Sequence, residues 1–166
     1  KSILIKDTTN KFKVLPKGQE SMPGNSKAQI FPEFIKAACT IAGLWGNATE
    51  NHKTLHMRAL DWDYKNPLNK YPITVVYHPS NKAWQTHANF AWVGFVGSLT
   101  GMSTKLSIGE KVWLPPKGSV PMTRYGNPWI YVFRDIMYDA HNLESALNIL
   151  QTTHRTCAIH IGIASV

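Results

Sequence analysis

The chain has 166 residues, of which 43% are hydrophobic and 17% charged, and this composition predicts one folded domain rather than a disordered polypeptide. The net charge is +8, but the lysines are scattered singly, so we expect a solvated basic face and no nucleic-acid partner. Two cysteines exclude a disulfide scaffold, the spacing of Cys and His indicates no metal site, and no apolar run is long enough for a transmembrane segment.

The N-terminal part of the chain has the composition of an extended arm. Residues 1–29 are rich in Lys, Ser, Gly, Asn and Pro, and we expect them to form at most edge strands. Residues 30–38 place Phe and Ile at helical spacing, which predicts a helical turn. Because the chain begins at Lys1 rather than Met, we expect a processed or partial polypeptide.

A β-hairpin is predicted next. An apolar run, residues 39–45, and a second strand-like segment, residues 54–62, are separated by a polar turn. The turn contains Asn47-Ala48-Thr49, an acceptor sequence for N-glycosylation, which favours a lysosomal or secreted protein. Further strands are predicted at residues 73–78, 89–96, 106–114 and 157–165.

Two helices are predicted near the C-terminus. Asn127 is expected to cap a helix that ends at about Ala140, and Asn142 a helix that ends at about Gln151. The fold class is therefore α+β, a mostly antiparallel sheet with helices packed on it. We divide the chain into an extended arm, residues 1–38, and a folded domain, residues 39–166.

The residues of the predicted hairpin carry a resemblance to a known class of enzymes. The first strand opens with Cys39-Thr40, and the second contains Arg58-Ala-Leu-Asp61-Trp. This arrangement resembles the N-terminal nucleophile hydrolases of the choloylglycine hydrolase, acid ceramidase and penicillin acyltransferase type. In those families the precursor cuts itself just before the cysteine, and the new N-terminal cysteine attacks a linear amide.

The resemblance implies a fold, an activity and a partner. The fold would be an αββα sandwich, of which residues 39–166 are the front half, completed by the remaining C-terminal part of the domain or by a second chain. The activity would be hydrolysis of an N-acyl amide or lipid-like substrate, with Cys39, Arg58 and Asp61 as catalytic residues and no cofactor. A Gly-Met-Asn step of the family matches Gly101-Met-Ser103, which makes Ser103 a candidate for the oxyanion site or the pocket. His160, on a predicted strand, is a second candidate for the pocket.

The chemistry of the three catalytic candidates is consistent with this activity. A free thiol has a pKa of about 8.5, so a guanidinium such as Arg58 nearby would favour the thiolate. An α-amino group has a pKa of about 7.7–8.0, which suits proton transfer near neutral pH. Asp61 would hold this amino group. Because side chains alternate along a strand, those of Arg58 and Asp61 would point to opposite faces of the hairpin. We therefore expect a bulge or twist that turns both towards the site.

Other interpretations of the same residues stay open. Cys39 would also suit a small buried core position, and Arg58 and Asp61 would also suit a structural ion pair that closes the hairpin. Cys157 is expected in the core and His87 at the surface. At the level of function, the alternatives are a non-catalytic structural or binding subunit derived from the family and a phospholipase B-like hydrolase.

Overall fold

The computed structural model describes residues 2–5, 38–61, 65, 67–113 and 125–165. This part of the chain forms eight strands and two α-helices. The strands are β1 (Ser2–Ile5), β2 (Ala38–Leu44), β3 (Leu55–Asp61), β4 (Pro72–Tyr77), β5 (His87–Trp92), β6 (Thr100–Ser103), β7 (Leu106–Lys111) and β8 (His160–Ser165). The helices are α1 (Trp129–Asp139) and α2 (Leu143–Thr152). The helical turn predicted at residues 30–38 falls almost wholly outside the described residues.

The strands form two antiparallel sheets, which confirms the α+β prediction. The main sheet has the strand order β1-β8-β7-β6-β5-β4, and β2 and β3 form a separate hairpin. The edge strand expected in the arm is present as β1, which pairs with β8 from Ser2 opposite Ala164 to Ile5 opposite Ile161. Strand β6 was not predicted, because its four residues include Gly101 and lie in a stretch rich in Gly, Ser and Thr.

The two helices cover one face of the main sheet. The buried face of α1, formed by Val132, Phe133, Ile136 and Met137, belongs to the same apolar cluster as residues of β7 and β8. Ala146 and Leu150 of α2 complete this cluster. Each large side chain buried in this way contributes roughly 1.5–3 kcal/mol to folding, so the core holds both helices against the sheet.

The structure confirms the predicted N-cap residue of α2 but not that of α1. Asn142 caps α2 as predicted, since its side chain accepts a hydrogen bond from Ser145 N at 2.8 Å and its backbone N–H donates to Ser145 Oγ at 3.1 Å. Asn127 does not cap α1, so that prediction was wrong. Pro128 occupies the cap position, and the backbone of Asn127 instead bonds the segment before β8, donating to the carbonyl of His154 at 2.8 Å.

The β2–β3 hairpin packs on the opposite face of the main sheet over a pair of glycines. Gly109 of β7 and Gly162 of β8 are direct neighbours across the ladder and alternate with the residues that face the helices. A Cβ atom at Gly162 would lie 2.6 Å from Ile41 Cγ2, and one at Gly109 would lie 3.0 Å from Arg58 Cγ. The missing side chains therefore allow the hairpin to approach the sheet closely.

This close approach predicts that Gly162→Ala lowers the free energy of unfolding by about 1–3 kcal/mol, the usual cost of overpacking. Gly109→Ala is the matched comparison and should cost less, because its new methyl group meets the flexible stem of Arg58 at a longer distance. Urea denaturation of the three proteins measures both effects. Equal stability of Gly162→Ala and the wild type would contradict the close packing.

Candidate functional site

The register of the hairpin places Cys39 and Arg58 on the same face. Cys39 is opposite Leu60 and Ile41 is opposite Arg58 in an uninterrupted antiparallel ladder. Alternation along each strand therefore directs Cys39 and Arg58 to the face that packs on the main sheet. The Nη2 atom of Arg58 lies 3.6 Å from the sulfur of Cys39, which is 3% exposed. The predicted hairpin and the approach of Arg58 to the sulfur are both present.

Glu110 is a third member of this cluster that the sequence analysis missed. Its carboxylate forms an ion pair with Arg58 Nη2, and its carbonyl oxygen accepts a hydrogen bond from Arg58 Nε at 3.2 Å. Both side chains are buried, with 5% of Arg58 and 2% of Glu110 exposed. Glu110 is 52 residues from Arg58 in the sequence, so no local spacing connects them. The available signal was a lone carboxylate in the predicted strand at residues 106–114.

The charge state of Glu110 sets the net charge of its ion pair with Arg58. Burial raises the pKa of Glu110 above its ordinary value, and the charge and hydrogen bond of Arg58 lower it in part. When Glu110 is ionised it offsets the positive charge of Arg58, and when it is protonated that charge acts on the sulfur without this compensation. One oxygen, Glu110 Oε2, is buried without a hydrogen-bond partner among the described residues.

Asp61 lies on the other face of the hairpin. It is exposed, and the register from Ala38 opposite Asp61 to Leu44 opposite Leu55 contains no bulge that would turn it towards Arg58. The expected bulge was therefore wrong. The alternative in which Arg58 and Asp61 form an ion pair is also wrong, since Arg58 pairs with Glu110. Asp61 is nevertheless the direct cross-strand neighbour of Ala38, the residue just before Cys39.

Ser103 and His160 occupy different surroundings. Ser103 borders a small pocket beside β3, β6 and β7, and its hydroxyl oxygen accepts hydrogen bonds from the backbone N–H groups of Lys105 and Leu106, both at 3.1 Å. This side chain therefore closes the turn between β6 and β7. His160 is exposed opposite Lys111 and contacts the ring of Trp113 edge to face. Partial burial lowers the pKa of His160, and the positive charge of Lys111 lowers it further. His160 lines neither the pocket beside Ser103 nor the larger groove described below.

The glycosylation candidate Asn47 is exposed in a short 3-10 helix, Gly46–Ala48. The third residue of the acceptor sequence, Thr49, is buried, and its hydroxyl donates to the carbonyl oxygen of Lys53 at 2.8 Å. The hairpin turn thus presents the Asn47 side chain to solvent while Thr49 holds the turn together.

Two expectations about burial were wrong. Cys157 is only partly buried and precedes β8, because that strand begins at His160, three residues later than predicted. His87 is 3% exposed, because β5 begins there and turns its ring into an aromatic cluster. Its ring stacks on Tyr77 at 5.0 Å and meets Tyr138 of α1 edge to face at 4.6 Å.

An open groove runs between β3 and the strands β4, β5 and β6. Arg58 and His56 contribute its charged and polar wall, and the remaining wall is mostly apolar. The apolar lining includes Leu60, Ile73, Phe90, Trp92, Leu99 and Met102. Cys39 is not itself part of the lining and lies behind Arg58.

His56 lines this groove and is held by a hydrogen-bond contact to β7. Its Nδ1 atom is 2.8 Å from Ser107 Oγ, whereas its Nε2 atom is buried without a hydrogen-bond partner among the described residues. Burial lowers the pKa of His56, and a hydrogen bond with the backbone of Ser107 opposes this in part. The neutral imidazole is therefore favoured there.

The described residues contain no group of three or more His, Cys, Asp and Glu side chains arranged to hold a metal ion. Within the same ranges, neither α-helix combines the length and the hydrophobicity needed to span a membrane.

The chain is similar to two proteins of Dictyostelium discoideum. It is 40% identical over 139 residues to protein dcd1B and 36% identical over 146 residues to protein dcd1A. Each alignment covers 84% of this chain but only 27% of dcd1B and 33% of dcd1A. No family model matches the chain. The chain thus spans about a third or less of the length of the curated relatives it matches, and their names state no activity.

Proposed function

We propose that this chain is the front half of an N-terminal nucleophile hydrolase of the acid ceramidase type, which cleaves the C–N bond of an N-acyl amide. The observation that carries the proposal is the approach of Arg58 Nη2 to within 3.6 Å of the Cys39 sulfur. A guanidinium at this distance stabilises a thiolate, and a thiolate is the nucleophilic form of cysteine.

Maturation begins with an attack of the Cys39 sulfur on the carbonyl carbon of Ala38. A C–S bond forms, the Ala38–Cys39 amide bond breaks, and the departing nitrogen takes up a proton to become the amino group of Cys39. Water then hydrolyses the thioester, which restores the thiol and leaves a carboxylate on Ala38.

Turnover repeats the same chemistry on an external amide. The Cys39 thiol gives its proton to its own amino group as the sulfur attacks the acyl carbonyl, and that proton passes to the departing amine. Water hydrolyses the acyl thioester to a carboxylic acid and regenerates the thiol.

Two carboxylates are assigned supporting roles. Glu110 holds Arg58 by two contacts and sets the net charge beside the sulfur. Asp61 pairs with Ala38 before scission, and we assign its carboxylate to hold the new amino group of Cys39 once Ala38 is released. The hydroxyl of Ser103 is engaged in its turn, so we assign no side-chain oxyanion donor to it.

The groove favours a substrate with an apolar chain. Its wall is mostly apolar apart from Arg58, His56 and a few polar side chains, which suits an acyl chain whose amide lies near the guanidinium. Glycosylation of Asn47 in a lysosomal or secreted protein belongs to the same proposal. No cofactor enters any step.

The outer face of the hairpin indicates where the rest of the domain would pack. Leu44, Trp45, Leu55 and Met57 are each about half exposed, and a two-stranded sheet is only marginally stable alone. Because the matched segment is only 27% and 33% of the two relatives, we propose that a C-terminal part or a second chain covers this face. The complete domain would then be an αββα sandwich.

One observation favours the alternative of a non-catalytic subunit. Cys39 is buried in the uncut strand, and Glu110 pairs with the guanidinium that would activate it. An assay separates the candidates. We expect the purified full-length protein to release the amine from a fluorogenic N-acyl amide, and we expect Cys39→Ala to reduce this rate at least about a thousandfold, because the nucleophile is lost.

The matched control for this assay is Cys157→Ala, which should keep the wild-type rate. Release of fatty acid from a phospholipid ester instead of the amide would favour the phospholipase B-like alternative. Absence of either activity in correctly processed protein would favour the structural subunit.

A further inference from the structure

The two glycines beneath the hairpin leave a recess in the face of the main sheet. Gly109 and Gly162 are opposite each other in the β7–β8 ladder, and glycine inside a strand weakens the strand unless another group approaches closely. The groups that approach here come from β3 and are polar. They are the imidazole of His56 and the stem of Arg58. We call this space the glycine recess.

The two side chains lie next to each other in the glycine recess. The position that a Cβ atom of Gly109 would occupy is 3.0 Å from Arg58 Cγ and 3.8 Å from His56 Cε1. A Cβ atom at Gly162 would lie 2.9 Å from His56 Nε2. The imidazole ring and the arginine stem therefore share one space, and each limits the movement of the other.

His56 is also tied to β7 by a directed contact. Its Nδ1 atom lies 2.8 Å from Ser107 Oγ. Arg58, the next residue on the same face of β3, bonds Glu110 further along β7. A hydrogen bond has a preferred length and direction, so it fixes one strand over another more closely than an apolar contact does. The tie at His56 therefore sets where β3 lies along β7, and with it where the guanidinium of Arg58 lies.

Packing alone does not account for an imidazole in the glycine recess. The Nε2 atom of His56 is buried without a partner among the described residues, and such an atom costs about 1–3 kcal/mol. A phenylalanine ring would fill the same space without this cost. Burial lowers the pKa of His56, so the neutral ring is favoured and adds no second positive charge next to Arg58. What the imidazole provides, and an apolar ring does not, is the directed tie to β7.

We propose that His56 is a positioning residue of the candidate site. Through its tie to Ser107 and its place beside the arginine stem, it holds the guanidinium of Arg58 next to the Cys39 sulfur and the Glu110 carboxylate. The consequence for scission and turnover rests on the proposed function. The placement of Arg58 does not, and it is measured without either reaction.

The direct test is hydrogen exchange at Arg58 Nε, measured by nuclear magnetic resonance in the full-length protein carrying Cys39→Ala, so that every sample is uncut. This N–H group donates to the Glu110 carbonyl at 3.2 Å, so its exchange rate reports where the guanidinium lies. We expect His56→Phe to accelerate this exchange about tenfold or more while the free energy of unfolding in urea stays equal or increases. His56→Asn keeps a nitrogen near the Nδ1 position and should exchange more slowly than His56→Phe. The matched control is His160→Phe, at an exposed histidine, which should not change the exchange.

A second readout measures the consequence for the chemistry in protein that retains Cys39. His56→Phe should slow scission after Ala38 about fivefold or more, because a displaced guanidinium no longer lies beside the attacking sulfur. His56→Asn should restore part of the rate, and His160→Phe should be cut like the wild type. Electrophoresis of samples taken during refolding gives the four rates.

The two readouts fail separately. Exchange at Arg58 Nε that His56→Phe leaves unchanged overturns the positioning role, whatever the rate of scission. The role is also overturned if core amides such as that of Ile163 exchange faster to the same extent and the free energy of unfolding falls, because His56 then only stabilises the fold. Faster exchange confined to Arg58, in a protein whose wild type is never cut, supports the positioning role and contradicts the proposed self-cleavage.

Discussion

Replacement of Cys39 by alanine is expected to leave the chain uncut, whereas the wild type yields a fragment that begins at Cys39. The reason is that the sulfur is the attacking atom in the proposed scission and alanine offers no replacement for it. Intact mass measurement with N-terminal sequencing detects both products directly. We expect scission of most of the wild-type protein and none of the variant.

The matched control is Cys157→Ala, which removes the other cysteine and should be cut like the wild type. After scission, the arm should stay bound, because β1 forms a four-residue ladder with β8, from Ser2 to Ile5. The two fragments should therefore elute together from a sizing column and separate in denaturant. Active wild-type protein that persists at full length would refute self-cleavage.

The parts of the fold that the sequence predicts are those set by local pattern. The apolar run at residues 39–45 and the strand-like segment at residues 54–62, with a polar turn between them, were enough to predict the hairpin, and the capping signal at Asn142 was enough to predict α2. The cap of α1 was misplaced by one residue, because the backbone of Asn127 is used by a non-local bond to His154. Helix boundaries that depend on contacts with residues distant in the sequence cannot be predicted from local residue spacing.

The candidate site likewise contains one contact that local pattern predicts and one that depends on packing between distant elements. Residues 39, 58 and 60 share a face of the hairpin, so strand parity alone brings Cys39 and Arg58 together. The same parity sends Asp61 to the other face. The contact of Arg58 with Glu110 joins residues 52 positions apart in the sequence and depends on the packing of the hairpin over Gly109. No single-sequence pattern encodes that packing.

Two substitutions are expected to change the reactivity of Cys39 towards iodoacetamide in opposite directions. Arg58→Ala removes the guanidinium that lies 3.6 Å from the sulfur and should slow labelling of Cys39 about tenfold or more. Glu110→Gln removes the carboxylate that offsets Arg58 and should accelerate labelling. Labelling of Cys157, which is partly exposed and has no part in the cluster, is the internal control and should not change.

Cleavage should also change the order of reactivity. In the uncut chain Cys39 is 3% exposed, so Cys157 should react faster. In the cut protein Cys39 is a chain terminus with a free amino group, and we expect it to react faster than Cys157. Peptide mass analysis of the two forms, separated before digestion, gives the four rates.

The pH dependence of the Glu110→Gln effect provides the sharpest distinction between a working cluster and a buried structural pair. Burial raises the folded-state pKa of Glu110, so the folded protein binds this proton more tightly than the unfolded chain. The free energy of unfolding of the wild type is therefore highest below the pKa of Glu110 in the unfolded chain and decreases as the pH rises through its pKa in the folded protein. The Glu110→Gln variant has no carboxylate at this position and should not show this decrease.

The ratio of the Cys39 labelling rate in Glu110→Gln to that in the wild type should follow the same titration. It should be near one in acid, where Glu110 is already neutral, and should increase as Glu110 ionises and offsets Arg58. A ratio that stays constant with pH, or equal rates for wild type, Arg58→Ala and Glu110→Gln, would leave Cys39 as a small core residue and the chain as a structural subunit.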